Sequence, residues 1–153
     1  MIQRKQTIYL FFAGLIPLVL LFIPLGTLSS EMAYYEYTAF AVRGTTPSIN
    51  TIGNAILLIA TSALSFISIF LYKNRKAQMK LVSLNMVLIL LTICFIMYFY
   101  PKFIFPKKEA LDGVTIQYNY TIFISFVSAV GLYLAKRAIA KDEAMVRSAD
   151  RLR

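Results

Sequence analysis

The sequence predicts an all-α membrane protein in which four transmembrane helices form one bundle and a single membrane domain over residues 1–153. Hydrophobic residues make up 59% of the chain and charged residues only 15%, whereas a soluble domain carries about 25% charged residues. Four long apolar runs contain no Asp, Glu, Lys or Arg, and most basic residues lie in alternate connecting segments. A small β cap outside the cytoplasm could cover the bundle, and the tail predicts a cytoplasmic C-terminal helix.

The four apolar runs are each long enough to cross a bilayer. A helix rises about 1.5 Å per residue, so a run of about 20 residues extends over about 30 Å, the thickness of the hydrocarbon core. A soluble helix of this length would show a polar face at each turn. The predicted spans are residues 8–28, 52–72, 81–100 and 116–135.

The basic residues predict the orientation of the spans. Of the 16 Lys and Arg residues, 12 lie in the N-terminal stub, in residues 73–80 and in the tail of residues 136–153, whereas four lie in the other two loops. Cytoplasmic segments of membrane proteins carry the excess of Lys and Arg. We therefore expect a multi-pass membrane protein with both termini in the cytoplasm.

The first run could alternatively be a cleaved signal peptide, because Arg4 and Lys5 precede it. It is longer than the roughly 7–15 apolar residues of such peptides, and no small-x-small cleavage site ends it. We interpret it as a retained first helix. Gly14 and Pro17 are tolerated within it because packed neighbours can satisfy the freed backbone groups.

The two outer loops are rich in aromatic and β-branched residues. Residues 32–42 and 114–120 could pair as a small sheet over the bundle. We favour an interfacial aromatic belt as the reason for the many tyrosines near the outer membrane surface, and a ligand-binding aromatic patch is a third interpretation. The tyrosines concerned are Tyr34, Tyr35, Tyr37, Tyr98, Tyr100, Tyr118 and Tyr120.

The connection of residues 73–80 is short enough to force the second and third helices to be antiparallel neighbours. The tail contains neither Gly nor Pro, so we expect it to continue the fourth helix, with Glu143 and Arg147 as a favourable i,i+4 pair. The simplest interpretation of the tail is a solvated helix whose charges fix topology and touch anionic head groups. A docking helix for a cytoplasmic partner is the alternative.

Uncharged polar residues inside the spans fall on single helix faces. Membrane helices associate through close approach at small residues and through side-chain hydrogen bonds. We interpret these polar stripes as packing surfaces of the bundle, although a route for a neutral molecule could be lined in the same way. The stripes are Asn54, Thr61, Ser65 and Ser68; Asn85 and Thr92; and Thr121, Ser125 and Ser128.

The sequence predicts no catalytic, cofactor-binding or metal site. It contains no His and a single Cys, Cys94, and all seven acidic residues lie outside the predicted spans. These facts exclude paired intramembrane carboxylates, Ser-His chemistry and the usual zinc ligand sets, and no Gly-rich phosphate loop is present. We expect no enzyme, no cofactor and no nucleic-acid partner.

Three segments of the chain resemble a known family. They are the opening residues 1–4, residues 71–78 (LYKNRKAQ), and residues 137–143 (RAIAKDE) followed by 146–153 (VRSADRLR). The chain resembles, over essentially its whole length, a family of small four-span inner-membrane proteins of Bacteroidota whose function is unknown. The resemblance implies four spans with both ends inside, adds no catalytic residue, and favours the tail as a recognition element.

Our leading hypothesis is a non-enzymatic membrane scaffold or accessory subunit. Its basic cytoplasmic face would engage anionic lipid or a protein partner in the cytoplasm or membrane, since most sequence-specific polar character lies there. The alternative is a small transporter or channel component for a neutral solute, which would pass along the polar stripe of the second span. The candidate contact residues are Arg75, Lys76, Arg147, Asp150, Arg151 and Arg153.

Overall fold

The computed structural model describes residues 5–29, 34–44, 49–104 and 115–151. Within these ranges, only the backbone is described for residues 101, 103, 104, 121, 122, 147 and 149–151. The described residues are mostly helical. They form the α-helices α1 (Lys5–Val19), α2 (Ile52–Phe70), α3 (Arg75–Cys94) and α4 (Thr121–Arg151). A 3-10 turn, Leu71–Lys73, follows α2, and a π-helical segment, Phe95–Ile104, follows α3.

The four helices form a bundle in which α1 packs against α2 and α4, and α3 packs against the same two helices. The predicted contact between the second and third helices is therefore confirmed. Buried apolar side chains from three of the helices, among them Leu10, Ile89 and Leu132, form one core cluster. The prediction that the tail continues the fourth helix is also confirmed, because α4 runs without a break to Arg151.

Three segments are long and apolar enough to cross a membrane: Ile52–Lys73, Arg75–Tyr100 and Phe123–Val146. The remaining helix, α1, is also apolar but has only 15 residues, or about 22 Å of helix. Large apolar side chains cover the outside of the helices, as shown by Val87, which is 61% exposed, and Phe123, which is 63% exposed. So extensive an exposed apolar surface favours a lipid environment.

The first helix ends at Val19, not at residue 28 as predicted. Pro24 has no N–H to continue a helix and disfavours helical backbone in the residue before it. The chain turns and then forms strand β1 (Gly26–Ser29). A Cβ on Gly26 would lie only 2.9 Å from the carbonyl oxygen of Gln117, so the neighbouring strand approaches too closely for any larger residue. The end of the apolar run is therefore part of a sheet.

Two other helices begin at residues that differ from the starts of the predicted spans. The third helix begins at Arg75 rather than at residue 81, because the side-chain oxygen of Asn74 caps it by accepting the backbone N–H of Ala77 at 3.1 Å. The fourth helix begins at Thr121 rather than at residue 116, because Thr115–Tyr118 forms a strand. In both cases hydrogen bonding, which hydropathy does not report, sets where the helix begins: a side-chain cap for α3, and the pairing of Thr115–Tyr118 with β1 for α4.

Five antiparallel strands form a sheet at one end of the bundle, which we call the sheet end. They are β1, β2 (Tyr34–Tyr37), β3 (Ala41–Arg43), β4 (Ile49–Asn50) and β5 (Thr115–Tyr118), in the order β4-β3-β2-β1-β5. Leu28 of β1 lies opposite Tyr35 of β2 on one side and Ile116 of β5 on the other. A sheet that includes strands from both predicted loop stretches is therefore present. The two loop stretches do not pair with each other, because β1 lies between them.

Six of the seven predicted tyrosines divide into an exposed and a buried group, and the seventh, Tyr118, is partly buried. Alternate residues of a strand face opposite sides of a sheet, and along β2 exposed and buried residues alternate. Three of the tyrosines are exposed, as an interfacial belt requires, and three are buried in an apolar cluster between the sheet and the helices, so a belt does not explain them. The exposed residues are Tyr34, Tyr98 and Tyr120, and the buried ones are Tyr35, Tyr37 and Tyr100.

Candidate functional site: a basic groove at the end of the bundle opposite the sheet

The end of the bundle opposite the sheet, which we call the basic end, carries a cluster of positive charge. Residues 71–74 connect α2 to α3 so briefly that Lys73, Arg75 and Lys76 lie together. Lys73 and Lys76 are exposed, whereas the side chain of Arg75 is only 19% exposed. The cap on Asn74 fixes where α3 begins, and it thereby sets the position of Arg75.

Arg75 links this connection to α4. Its Nη1 donates a hydrogen bond to the backbone carbonyl oxygen of Asp142 at 2.9 Å. The same Nη1 lies 3.9 Å from Oε2 of Glu143, whose side chain is 20% exposed. An ion pair this close to water contributes little stability, but the carbonyl bond and the ion pair together orient the guanidinium. The effect is to hold the tail helix against the α2–α3 connection.

A groove of about 620 Å³ opens beside this contact, and we call it the basic groove. Tyr72, Lys73, Arg75 and Lys76 line it from the α2–α3 connection, and Glu143 and Val146 line it from α4. Three cationic side chains thus line the groove with one carboxylate, so the lining carries net positive charge. A phosphate or carboxylate is the kind of group that Arg and Lys side chains arranged in this way bind.

A second groove, of about 450 Å³, runs along α3, and we call it the side groove. Its lining residues Lys76, Met79, Lys80 and Ser83 follow the spacing of three and four that places residues on one helix face. Lys76 lines both grooves, so the side groove adjoins the basic groove.

The structure brings two of the six predicted contact residues, Arg75 and Lys76, into the basic groove. The side chains of Arg147, Asp150 and Arg151, and the whole of Arg153, lie outside the described residues.

Sequence reasoning did not single out Lys73, Lys80 or Glu143 as contact residues. The spacing of four between Lys76 and Lys80 was the available signal for a shared face of α3. Glu143 was predicted only as a partner of Arg147, and no local spacing could reveal its contact with Arg75, which lies far away in the sequence.

Except for Thr121, whose side chain lies outside the described residues, the polar stripes predicted from the sequence are buried inside the bundle. Nδ2 of Asn85 on α3 donates to the carbonyl oxygen of Thr61 at 3.1 Å and lies 2.7 Å from Oγ of Ser65, both on α2. Nε2 of Gln78 donates to the carbonyl oxygen of Ser68 at 2.8 Å. These bonds join α2 and α3 through buried amide groups, as expected of packing surfaces in a membrane bundle.

Four buried amide oxygens have no hydrogen-bond donor among the described residues. They are Oε1 of Gln6, Oδ1 of Asn54, Oε1 of Gln78 and Oδ1 of Asn85. A buried acceptor without a donor is costly unless water or another small donor reaches it. Gln6 and Gln78 were not part of the predicted stripes. Within the described part of the chain, no group of three or more His, Cys, Asp or Glu residues is placed to hold a metal ion.

Tyr37 connects the sheet to the bundle interior. Its hydroxyl oxygen accepts a hydrogen bond from Nδ2 of Asn54 at 2.5 Å. Burial raises the pKa of Tyr37 far above its ordinary value, and the hydrogen bond from Asn54 opposes only part of this rise. The hydroxyl therefore stays neutral at physiological pH and acts as a structural hydrogen-bonding group.

A family model with the description "Domain of unknown function (DUF4293)" matches residues 2–152. No curated protein matches the chain. The match covers nearly the whole chain, as the resemblance in the sequence implied. The description names neither an organism nor a membrane topology, so both of these expectations stay predictions.

Proposed function

The chain belongs to the DUF4293 family, and we propose that it is a non-enzymatic scaffold or accessory subunit of the inner membrane. Its basic cytoplasmic face engages a protein partner or anionic lipid. The observation that carries this proposal is the contact of Arg75 with Asp142 and Glu143, which joins the α2–α3 connection and the tail helix around one groove with surplus positive charge. A positive surface of this kind attracts and orients acidic groups.

The proposal includes four spans with both termini in the cytoplasm. The start of α1, the α2–α3 connection and the end of α4 all lie at the basic end, which the distribution of Lys and Arg assigns to the cytoplasm. Although α1 is short, the chain continues in helical turns beyond it, because the backbone N–H of Phe22 donates to the carbonyl oxygen of Val19 at 3.1 Å. This continuation, together with the packing of α1 on α2 and α4, supports its role as the fourth span.

Crosslinking in native membranes followed by mass spectrometry tests the proposal. A variant that lacks residues 141–153 loses both Asp142 and Glu143 and one wall of the basic groove, so we expect it to lose the partners of the full chain. Lys102→Ala is the matched control, because Lys102 is an exposed cation that bonds to Tyr98 at the sheet end. A truncated protein that inserts, keeps its helical content and retains the same partners would contradict the proposal.

The second candidate function is a transporter or channel component for a neutral solute. The buried amide oxygens that lack donors favour it, because such oxygens can accept hydrogen bonds from a passing solute. Flux of small neutral solutes into reconstituted vesicles tests it. Leucine at Ser65 or Ser68 should abolish flux in a protein that remains folded. If the same substitutions only unfold the protein, the polar stripe serves packing instead.

A further inference from the structure

The basic groove lies at the boundary of the apolar segments. The candidate span of α2 ends at Lys73, and that of α3 begins at Arg75. Both residues line the groove. In a bilayer, side chains at the end of a span lie where hydrocarbon gives way to lipid head groups. The groove is therefore at the depth of a phospholipid phosphate.

The cations of the groove are suited to hold such a phosphate. The hydrogen bond from Arg75 to Asp142 uses Nη1, so among the described residues it leaves the Nε and Nη2 donors of Arg75 for another oxygen acceptor. Lys73 and Lys76 add two mobile ammonium groups, whereas Glu143 offers a single negative charge. These four side chains leave a net charge of +2, so a bound monoanionic phosphate would neutralise half of it.

The groove does not end at the head-group level. The side groove begins at Lys76 and passes Met79, Lys80 and Ser83, and the same face of α3 continues over residues separated by three or four positions. Leu84, Val87 and Leu91 are 57%, 61% and 42% exposed. An acyl chain could therefore lie along α3 in contact with these side chains. Lys76 and Lys80 would extend their stems toward the phosphate, as long cationic side chains do at a membrane surface.

We propose that the two adjoining grooves form a binding site for one anionic phospholipid. The phosphate lies among Lys73, Arg75 and Lys76, and one acyl chain lies along the exposed face of α3. An acidic peptide would use the charges but not the apolar face inside the candidate span, so the combination favours a lipid. The inference rests on the proposed function, since it names what the basic face binds.

The test uses the purified full chain in a mild neutral detergent. Thermal unfolding and native mass spectrometry are recorded with phosphatidylglycerol, with zwitterionic phosphatidylcholine, and with soluble glycerol phosphate. We expect phosphatidylglycerol to bind and to raise the unfolding temperature, and the other two compounds to have little effect. Equal binding of both lipids would overturn the inference, because the cations would then have no role. An equal effect of glycerol phosphate would also overturn it, because the side groove would then contribute nothing.

A charge-matched pair of variants separates a site from general attraction. Lys76→Gln removes the cation shared by the two grooves, and we expect it to weaken phosphatidylglycerol binding about fivefold. Lys141→Gln removes an exposed cation at the same end that lines neither groove, and we expect almost no change. Both residues are exposed, so neither change should impair folding. Equal weakening by both variants would overturn the inference.

The inference and the proposed function can fail separately. If phosphatidylglycerol does not bind, but deletion of residues 141–153 still removes a protein partner, the lipid site is wrong and the scaffold proposal stands. If neither the lipid nor a partner depends on the basic end, both are wrong.

Discussion

Single buried amides connect the helices of this bundle, and Asn85 is the clearest case. It provides two bonds to α2, while its own Oδ1 has no donor among the described residues. Hydrogen bonds between membrane helices contribute roughly 0.6–2 kcal/mol each. We expect Asn85→Leu, which keeps a similar volume, to lower the free energy of unfolding by about 1 kcal/mol in detergent titrations. Val87→Leu on the exposed face is the control and should change little. A more stable Asn85→Leu protein would show that the unpaired oxygen costs more than the two bonds contribute.

From the burial of Tyr37 we predict how the stability of the folded protein depends on pH in the alkaline range. The unfolded chain releases this proton near the ordinary pKa of 10.0, whereas burial raises the pKa in the folded protein. The folded state therefore holds the proton more tightly than the unfolded chain does. The stabilisation that this difference contributes to the folded state is complete below pH 10 and decreases as the pH rises above it. We expect the unfolding temperature to fall steadily above about pH 10. Tyr37→Phe should start lower, because it loses the bond from Asn54, and should fall less steeply. Parallel curves for the two proteins would contradict this account.

At the scale of elements, the distance between α1 and α2 depends on Gly14. Its carbonyl oxygen accepts the Ser62 hydroxyl at 2.8 Å, and a Cβ on Gly14 would lie 2.9 Å from Cβ of Ser65. Alanine there would force the helices apart, and we expect Gly14→Ala to destabilise the protein by about 1 kcal/mol despite its better helix propensity. Thermal unfolding measures the change.

Gly131 offers a matched control for that prediction. It lies in α4, which packs against α1, but a Cβ there would lie 3.5 Å from Cβ of Ala13, which is an ordinary contact. We expect Gly131→Ala to be neutral or slightly stabilising, because alanine favours the helix. If the two alanine variants behaved alike, close approach at Gly14 would not set the packing of α1.

The sequence predicted the helical elements better than their ends. Hydropathy located the four apolar helices, and the absence of Gly and Pro correctly predicted that the tail continues α4. A short apolar run, however, cannot be assigned to a helix or to a buried strand by periodicity alone. Leu25 and Leu28 are both fully buried, but they lie beside and within strand β1 rather than in a helix, in the cluster between the sheet and the helices. The tyrosines show the same limit, because only the strand register decides that Tyr37 is buried and Tyr34 exposed.

At the scale of the whole molecule, the charge pattern indicated which end of the bundle is basic but not how the groove there is built. Counting Lys and Arg drew attention to Arg75 and Lys76, and both line the basic groove. The contact of Arg75 with Glu143 joins residues that are distant in the sequence, so it depends on how α3 packs against α4. The side groove was missed for a related reason. It can be recognised only when one knows which face of α3 the neighbouring helices leave uncovered.

The number of spans determines on which sides of the membrane the two ends of the chain lie. If α1 crosses the bilayer with α2, α3 and α4, both termini lie on one side; if only the three longer segments cross, the termini lie on opposite sides. The helix of α1 is shorter than the hydrocarbon core, but its turns continue past Val19 and a bilayer can thin locally around a short span.

We therefore expect a fluorescent reporter that matures only in the cytoplasm to be active on either terminus, and a periplasmic phosphatase reporter to be inactive on both. The same phosphatase placed between Gly44 and Ile49 at the sheet end should be active, which controls for export. Reporters on opposite sides at the two termini would show that α1 does not span. An active phosphatase at the C-terminus would show that the basic groove lies outside the cytoplasm, and it would therefore contradict the proposed function.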